Sequence, residues 1–148
     1  MAESLRVVVR YSDGRTLKGT TRDFRPASAS FHLIRADGLA VLDVCVADLK
    51  AVFFVRDFQG SHQRTKLRGF LAAPPESAQG KKVAVLFRDG ELLCGYTLAF
   101  SPGRAGFFLT PADVTSNNLR IYVVTAAAAE IKAGPAAEQL AQKILEKP

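Results

Sequence analysis

From Leu5 to Tyr11 apolar and polar side chains alternate: Leu5, Val7, Val9 and Tyr11 share one parity, while Arg6 and Arg10 flank Val8 on the other. The alternation returns at Val83, Val85 and Phe87, set against Lys82, Ala84, Leu86 and Arg88. A period of two predicts strands with one buried face. Asp13-Gly14 and Asp89-Gly90 come next, and an Asp-Gly pair predicts a type I′ hairpin turn, in which both central residues take positive φ. Gly19 and Gly95, inside the returning strands, predict a bulge or bend that lets a small sheet curl. Third strands are expected at SFHLI (30–34) and GFFLT (106–110), and further β-rich runs at 39–46, 50–56 and 119–125.

Two stretches depart from simple alternation. AVFFV (51–55) is apolar on both faces, which predicts that its second face packs on another part of the chain or on another chain. GPAAEQLAQKILEKP (134–148) reads as a short helix, with Pro135 in the first turn and Ala137, Leu140, Ala141, Ile144 and Leu145 on one stripe. Docking of that helix on its own domain is the expectation.

The pattern is duplicated. A shift of 76 positions aligns residues 5–37 with 81–113 without a gap and gives 14 identities in 33 positions, from Val7/Val83 through Gly19/Gly95 to Asp37/Asp113. Beyond Asp113 the second copy carries three extra residues, after which VCVADLKAV (44–52) falls opposite VVTAAAAEI (123–131). Internal repetition therefore organises the chain. The expected divisions are a first repeat at 1–57, a basic and Pro/Ser/Gly-rich connector at 58–80, a second repeat at 81–133 and the helix at 134–148.

The string V-x-V-x-Y-x-D-G-x-x-L-x-G-x-T-x-x-F, running from Val7 to Phe24 and again from Val83 to Phe100 with Phe87 at the Tyr position, resembles the first motif of Sm and Hfq-like proteins. That resemblance covers the first half of each copy. It implies a mainly β fold of two tandem, small, five-stranded antiparallel barrels of the Sm/SH3-like kind, followed by the C-terminal helix. It does not extend to the RNA site of those proteins: the segments RPASASFHL and SPGRAGFFL lack the expected Asn, and the Ile-Arg-Gly turn and Tyr-Lys-His cluster are missing. Arg64-Thr-Lys-Leu-Arg68 has the R-x-x-x-R spacing of PilZ domains, which bind cyclic di-GMP, although Ala99 and Arg104 stand where the second PilZ motif needs an acid or amide and a glycine. KAVFFVRDF, GFFLTPAD and SNN resemble an uncharacterised bacterial family of small β proteins, which implies a regulatory or adaptor role.

Composition narrows the chemistry. Twenty Lys and Arg against 14 Asp and Glu give a formal charge of +6 and a pI near 9.6, which favours an anionic partner. No apolar run approaches the roughly 18 residues of a membrane span, and the first residues lack a signal-peptide core, so no membrane role and a cytoplasmic location are expected. Cys45 and Cys94 lie in strand-like surroundings and are expected to be buried free thiols. With His32 and His62 they make no zinc spacing. No enzyme, cofactor or metal is expected.

The candidate contacts are cationic and amide residues where the copies differ. Arg22, Arg25, Arg64, Lys66, Arg68, Arg104 and Arg120 can hold anions, and Asn117 and Asn118 form a polar rim or a turn. Phe53 and Phe54 are the candidate apolar interface. The leading expectation is a non-catalytic adaptor that docks a protein partner, or a second copy, through a basic loop face and the apolar strand. The alternative is nucleic-acid or cyclic-dinucleotide binding through Arg and Lys.

Overall fold

The computed structural model describes residues 4–26, 28–38, 40–58, 80–98, 100, 103–112 and 118–145. In the first copy they form β1 (Leu5–Tyr11), β2 (Thr16–Thr21), β3 (Ser30–Arg35), β4 (Val41–Cys45) and β5 (Leu49–Val55). The second copy supplies β6 (Lys81–Phe87), β7 (Leu92–Thr97), β8 (Gly106–Pro111), β9 (Asn118–Val124) and β10 (Ala128–Ala133), followed by helix α1 (Pro135–Leu145). Single 3-10 turns at Val46–Asp48 and Thr125–Ala127 lead into β5 and β10.

All described pairings are antiparallel, and they join into one sheet of order β10-β6-β7-β8-β9-β5-β1-β2-β3-β4. The chain is thus mainly β, with a C-terminal helix, and among the described residues the sheet does not close at β4 or β10. The repeat is nonetheless visible strand by strand. β5-β1-β2-β3-β4 and β10-β6-β7-β8-β9 have the same internal order. Val7 pairs with Gly19 as Val83 does with Gly95, and Phe31 pairs with Val44 as Phe107 does with Val123. Even a loop bond recurs: the Ser12 N–H donates to the Asp48 carbonyl, and the Arg88 N–H donates to that of Ala127.

The hairpins differ from the type I′ expectation. Gly14 N–H donates to the Tyr11 carbonyl at 3.1 Å, Tyr11 N–H donates to that of Arg15, and among the described residues positive φ is confined to glycines. This is a three-residue loop, a type I turn closed by a glycine bulge, and Asp89-Gly90 repeats it. Aspartate escapes positive φ by accepting, on its carboxylate, the N–H two residues on: Arg15 for Asp13 and Glu91 for Asp89. Gly19 and Gly95 have a different reason to be glycine. A Cβ at either would overlap a carbonyl oxygen of the neighbouring strand, that of Ile34 or Thr110, so only glycine lets β3 and β8 approach so closely.

The seam between the copies is the β5–β9 pair, in which Ala51, Val52, Phe53 and Phe54 face Val123, Tyr122, Ile121 and Arg120. All seven β5 residues are buried. Val52 and Phe54 enter the first copy's core with Val7, Val9, Phe31, Leu33, Tyr122 and Val124. Ala51, Phe53 and Val55 enter the second copy's core with Val83, Val85, Phe87, Phe107 and Ile121. Burying Phe53 and Phe54 contributes about 3–6 kcal/mol, an upper bound because the unfolded chain already hides part of that surface. The two cores therefore share one strand.

Helix α1 begins after Gly134, whose N–H donates to the Lys82 carbonyl at 2.8 Å. Ala137 and Leu140 pack on Ala84, with Leu86, Leu92, Cys94 and Ile144 around them, and Lys82 pairs with Glu138. Ala84 occupies the repeat position of Val8, and Val8 packs against the second copy's core. Thus α1 covers in the second copy the strand face that the second copy covers in the first. The cysteines depart from expectation: Cys45 is exposed on an edge strand, and Cys94 is half-buried beside α1. No described helix is long and apolar enough to cross a membrane.

Candidate functional site

Three groups of polar side chains stand out, and the repeat relation explains where each lies. The first sits on the seam. The loop that follows β2 carries Phe24 against Phe31, Phe54 and Tyr122, with ring centroids 5.1, 5.4 and 5.2 Å apart and edge-to-face geometry. Phe108 joins from β8, 5.2 Å from Tyr122 and 6.0 Å from Phe54. Such rings pack edge to face because their positive edges meet negative faces. The Tyr122 hydroxyl donates to the Pro26 carbonyl at 3.2 Å, so a β9 side chain of the second copy ties down a loop of the first.

Over this cluster lies Arg120. Its guanidinium carbon is 4.7 Å from the Phe54 ring centre and 4.4 Å from that of Phe108. The planar cation shares the negative ring faces while its N–H edge stays in water, because Arg120 is exposed. Among the described residues no carboxylate pairs with Arg120, Arg104, Arg25 or Arg22, whereas Arg15, Arg35 and Lys82 each have one and Lys50 has two. Burial pushes the Tyr122 phenol above its ordinary value, and the charge of Arg104 opposes that rise. Leu119, 48% exposed, precedes Arg120 at the seam's irregular step.

The second group lies toward the other end of β5. Lys50, 5% exposed, donates to Asp89 at 2.7 Å and to Glu91, and its ammonium sits 4.6 Å from the Phe87 ring centre. This bond first, with the Glu91 N–H second, holds the Asp89 carboxyl below its ordinary value. A cleft of about 270 Å³ lies here, lined by Ser12, Leu49, Lys50, Phe87, Arg88 and Asp89 among others. Its one buried cation is already neutralised by two carboxylates, so the group clamps the second copy's hairpin to the first copy's β5.

The third group is on the outer face of β3 and β4. His32 Nδ1 lies 2.6 Å from Asp23 and Nε2 2.9 Å from Asp43. The hydrogen bond to Asp23 is the main cause that raises His32 above its ordinary pKa, and the same bond lowers Asp23. By repeat position His32 and Asp43 correspond to Phe108 and Tyr122. The aromatic half of the seam has become a charged, open surface in the first copy.

The residues expected from sequence separate accordingly. Arg120 lies on the aromatic cluster, Arg104 is exposed, and Arg25 precedes the Pro26 carbonyl that receives the Tyr122 hydroxyl. Arg22 is exposed at the start of the same loop. Asn118 is not a loop residue but the first residue of β9, paired with Val55. Phe53 and Phe54 are 5% and 3% exposed. They are therefore closed to a separate partner, because β5 is the centre of the sheet and both its faces are spent within the chain. Arg64, Lys66, Arg68 and Asn117 lie outside the described residues. Alternation alone missed Phe24, Phe108 and Tyr122, although the mismatch of His32 with Phe108 and Asp43 with Tyr122 between aligned copies was a readable signal.

Comparison with curated proteins and with solved structures found no match. A family profile matches residues 3–133, which takes in both copies, the seam and its aromatic cluster and stops short of α1. The chain therefore belongs to DUF6982, a family of unknown function.

Proposed function

We propose that this chain is a non-catalytic binding module, two fused small barrels of the Sm-like kind, that docks an acidic segment of a protein partner on the seam surface. The barrel reading is supported by the shared five-strand order and by the glycines that permit close strand approach. The observation that carries the binding reading is Arg120: a guanidinium held flat on two aromatic rings, exposed, and without a carboxylate partner among the described residues. Stacking fixes the side chain before a ligand arrives, so less rotamer freedom is lost when its N–H edge grips a carboxylate. The reading is supported by the charge of Arg104, which is felt at Tyr122, and by Leu119, which is exposed and precedes Arg120 in β9. The surface thus suits a segment in which Asp or Glu neighbours an apolar residue.

The test uses a fluorescein-labelled peptide of alternating Glu and Leu, titrated with the full chain at low and high salt. Binding is expected, and Arg120→Gln should weaken it about tenfold or more, as loss of a hydrogen bond to a charged group does. A labelled single-stranded oligonucleotide serves as the competitor class. If it binds tighter than the peptide and its affinity falls steeply with salt, the partner is nucleic acid and the proposal fails.

A further inference from the structure

The internal repeat contains its own template for a second docking site, because one edge filled in the second copy is, among the described residues, open in the first. β9 pairs with β8 on one side and with β5 on the other; β4, its equivalent, pairs with β3 alone among the described residues. The loss of the neighbouring strand shows in burial. Ile121, Tyr122, Val123 and Val124 are all buried, whereas their counterparts Leu42, Asp43 and Cys45 are half-buried or exposed and only Val44 remains covered. Val41, in the place of Arg120, is 64% exposed. We propose that the β4 edge accepts an extended antiparallel segment of another polypeptide in which apolar and basic residues alternate.

The alternation follows from the template. Directly paired residues share a face, so a strand laid on β4 as β5 lies on β9 sets one parity against Leu42 and Val44 and the other against Val41, Asp43 and Cys45. The first parity meets the fringe of the first core and calls for apolar side chains. The second meets Asp43, whose side chain is 84% exposed, and next to it His32 and Asp23. Two carboxylates around one imidazole favour Lys or Arg there. A second copy of this chain does not fit through its β10 edge, where Glu130 and Lys132 stand at the repeat positions of Ala51 and Phe53, the parity that must be apolar. Driving those charges against Leu42 and Val44 carries the cost of burying unpaired ions. Shifting by one residue would reverse which β10 face meets the core.

The probe is a synthetic peptide of alternating Val and Lys, with a Val/Glu peptide as control, against the full chain. Backbone hydrogen exchange should slow at residues 41–45 on adding the Val/Lys peptide, and Asp43→Lys should weaken its binding about tenfold by replacing an attractive cross-strand pair with a repulsive one. Exchange unchanged over 41–45, or equal affinity for both peptides, overturns the assignment. So does concentration-dependent self-association of the peptide-free protein that protects β4, which would make the occupant a second copy. Arg120→Gln should leave Val/Lys binding intact, which separates this edge from the seam surface.

Discussion

Lys50→Met removes the ammonium that joins the second copy's Asp89-Gly90 hairpin to the first copy's β5 while keeping an unbranched side chain over Phe87. Asp89 and Glu91 are 55% and 38% exposed on their side chains, so each ion pair is partly screened and contributes about 0.5–1 kcal/mol. The cation over Phe87 adds roughly 0.5–1 kcal/mol. Relief of the ammonium's own desolvation works in the opposite direction. The expected net loss is about 1–2 kcal/mol, or roughly 2–8 °C in Tm for a chain of this size. Lys50→Ala also strips the buried stem, about three methylenes at ~0.8 kcal/mol each, and should cost roughly 3–4 kcal/mol in all. Urea unfolding of both variants with unchanged m-values measures these losses. The acid limb gives a second readout. Asp89 has a depressed folded pKa, so its stabilisation is present above the ordinary carboxylate value and is lost as pH falls through the folded value. Lys50→Met should flatten that loss, and Lys50→Met with Asp89→Asn should show less than additive destabilisation. A Met variant as stable as the parent, with the same acid limb, would assign the junction to the apolar stem and refute the ion-pair argument.

Gly19→Ala and Gly95→Ala should each destabilise by about 3 kcal/mol or more, since backbone carbonyls must move to admit the methyl, while Gly14→Ala, with open space but positive φ, should cost only about 1 kcal/mol by denaturant unfolding. His32 should titrate above its ordinary value by NMR. Asp23→Asn should lower it more than Asp43→Asn, because the Asp23 hydrogen bond is the larger cause. A raised folded pKa means that this contribution is full below the unfolded value and disappears as pH rises through the folded one. Arg104→Ala should move the Tyr122 phenol still higher in a spectrophotometric alkaline titration, since a cation that favours phenolate is removed; an unchanged titration would show that its charge does not reach the phenol.

Local rules were legible in the chain. Alternation located strands such as β1 and β3, which bury one face more than the other, and the shift of 76 residues revealed the copies because equivalent turns and close approaches need the same glycines. The helix could be read from Pro135 and its apolar stripe. The turn type could not, since Asp-Gly also suits a three-residue loop in which only glycine takes positive φ. The doubly apolar AVFFV announced that a second surface would cover it, but not which one, because any apolar neighbour satisfies the same pattern.

Only the tertiary structure decided that this neighbour is β9 of the second copy, so that Phe53 and Phe54 are spent inside one sheet and the basic residues beside them are left to meet solvent. It also decided which copy keeps an open edge. Hydrogen bonds along a strand edge have no sequence specificity of their own, so the choice rests on side chains brought together from distant positions: Phe54, Phe108 and Tyr122 at the closed seam, and His32, Asp23 and Asp43 at the edge that remains open.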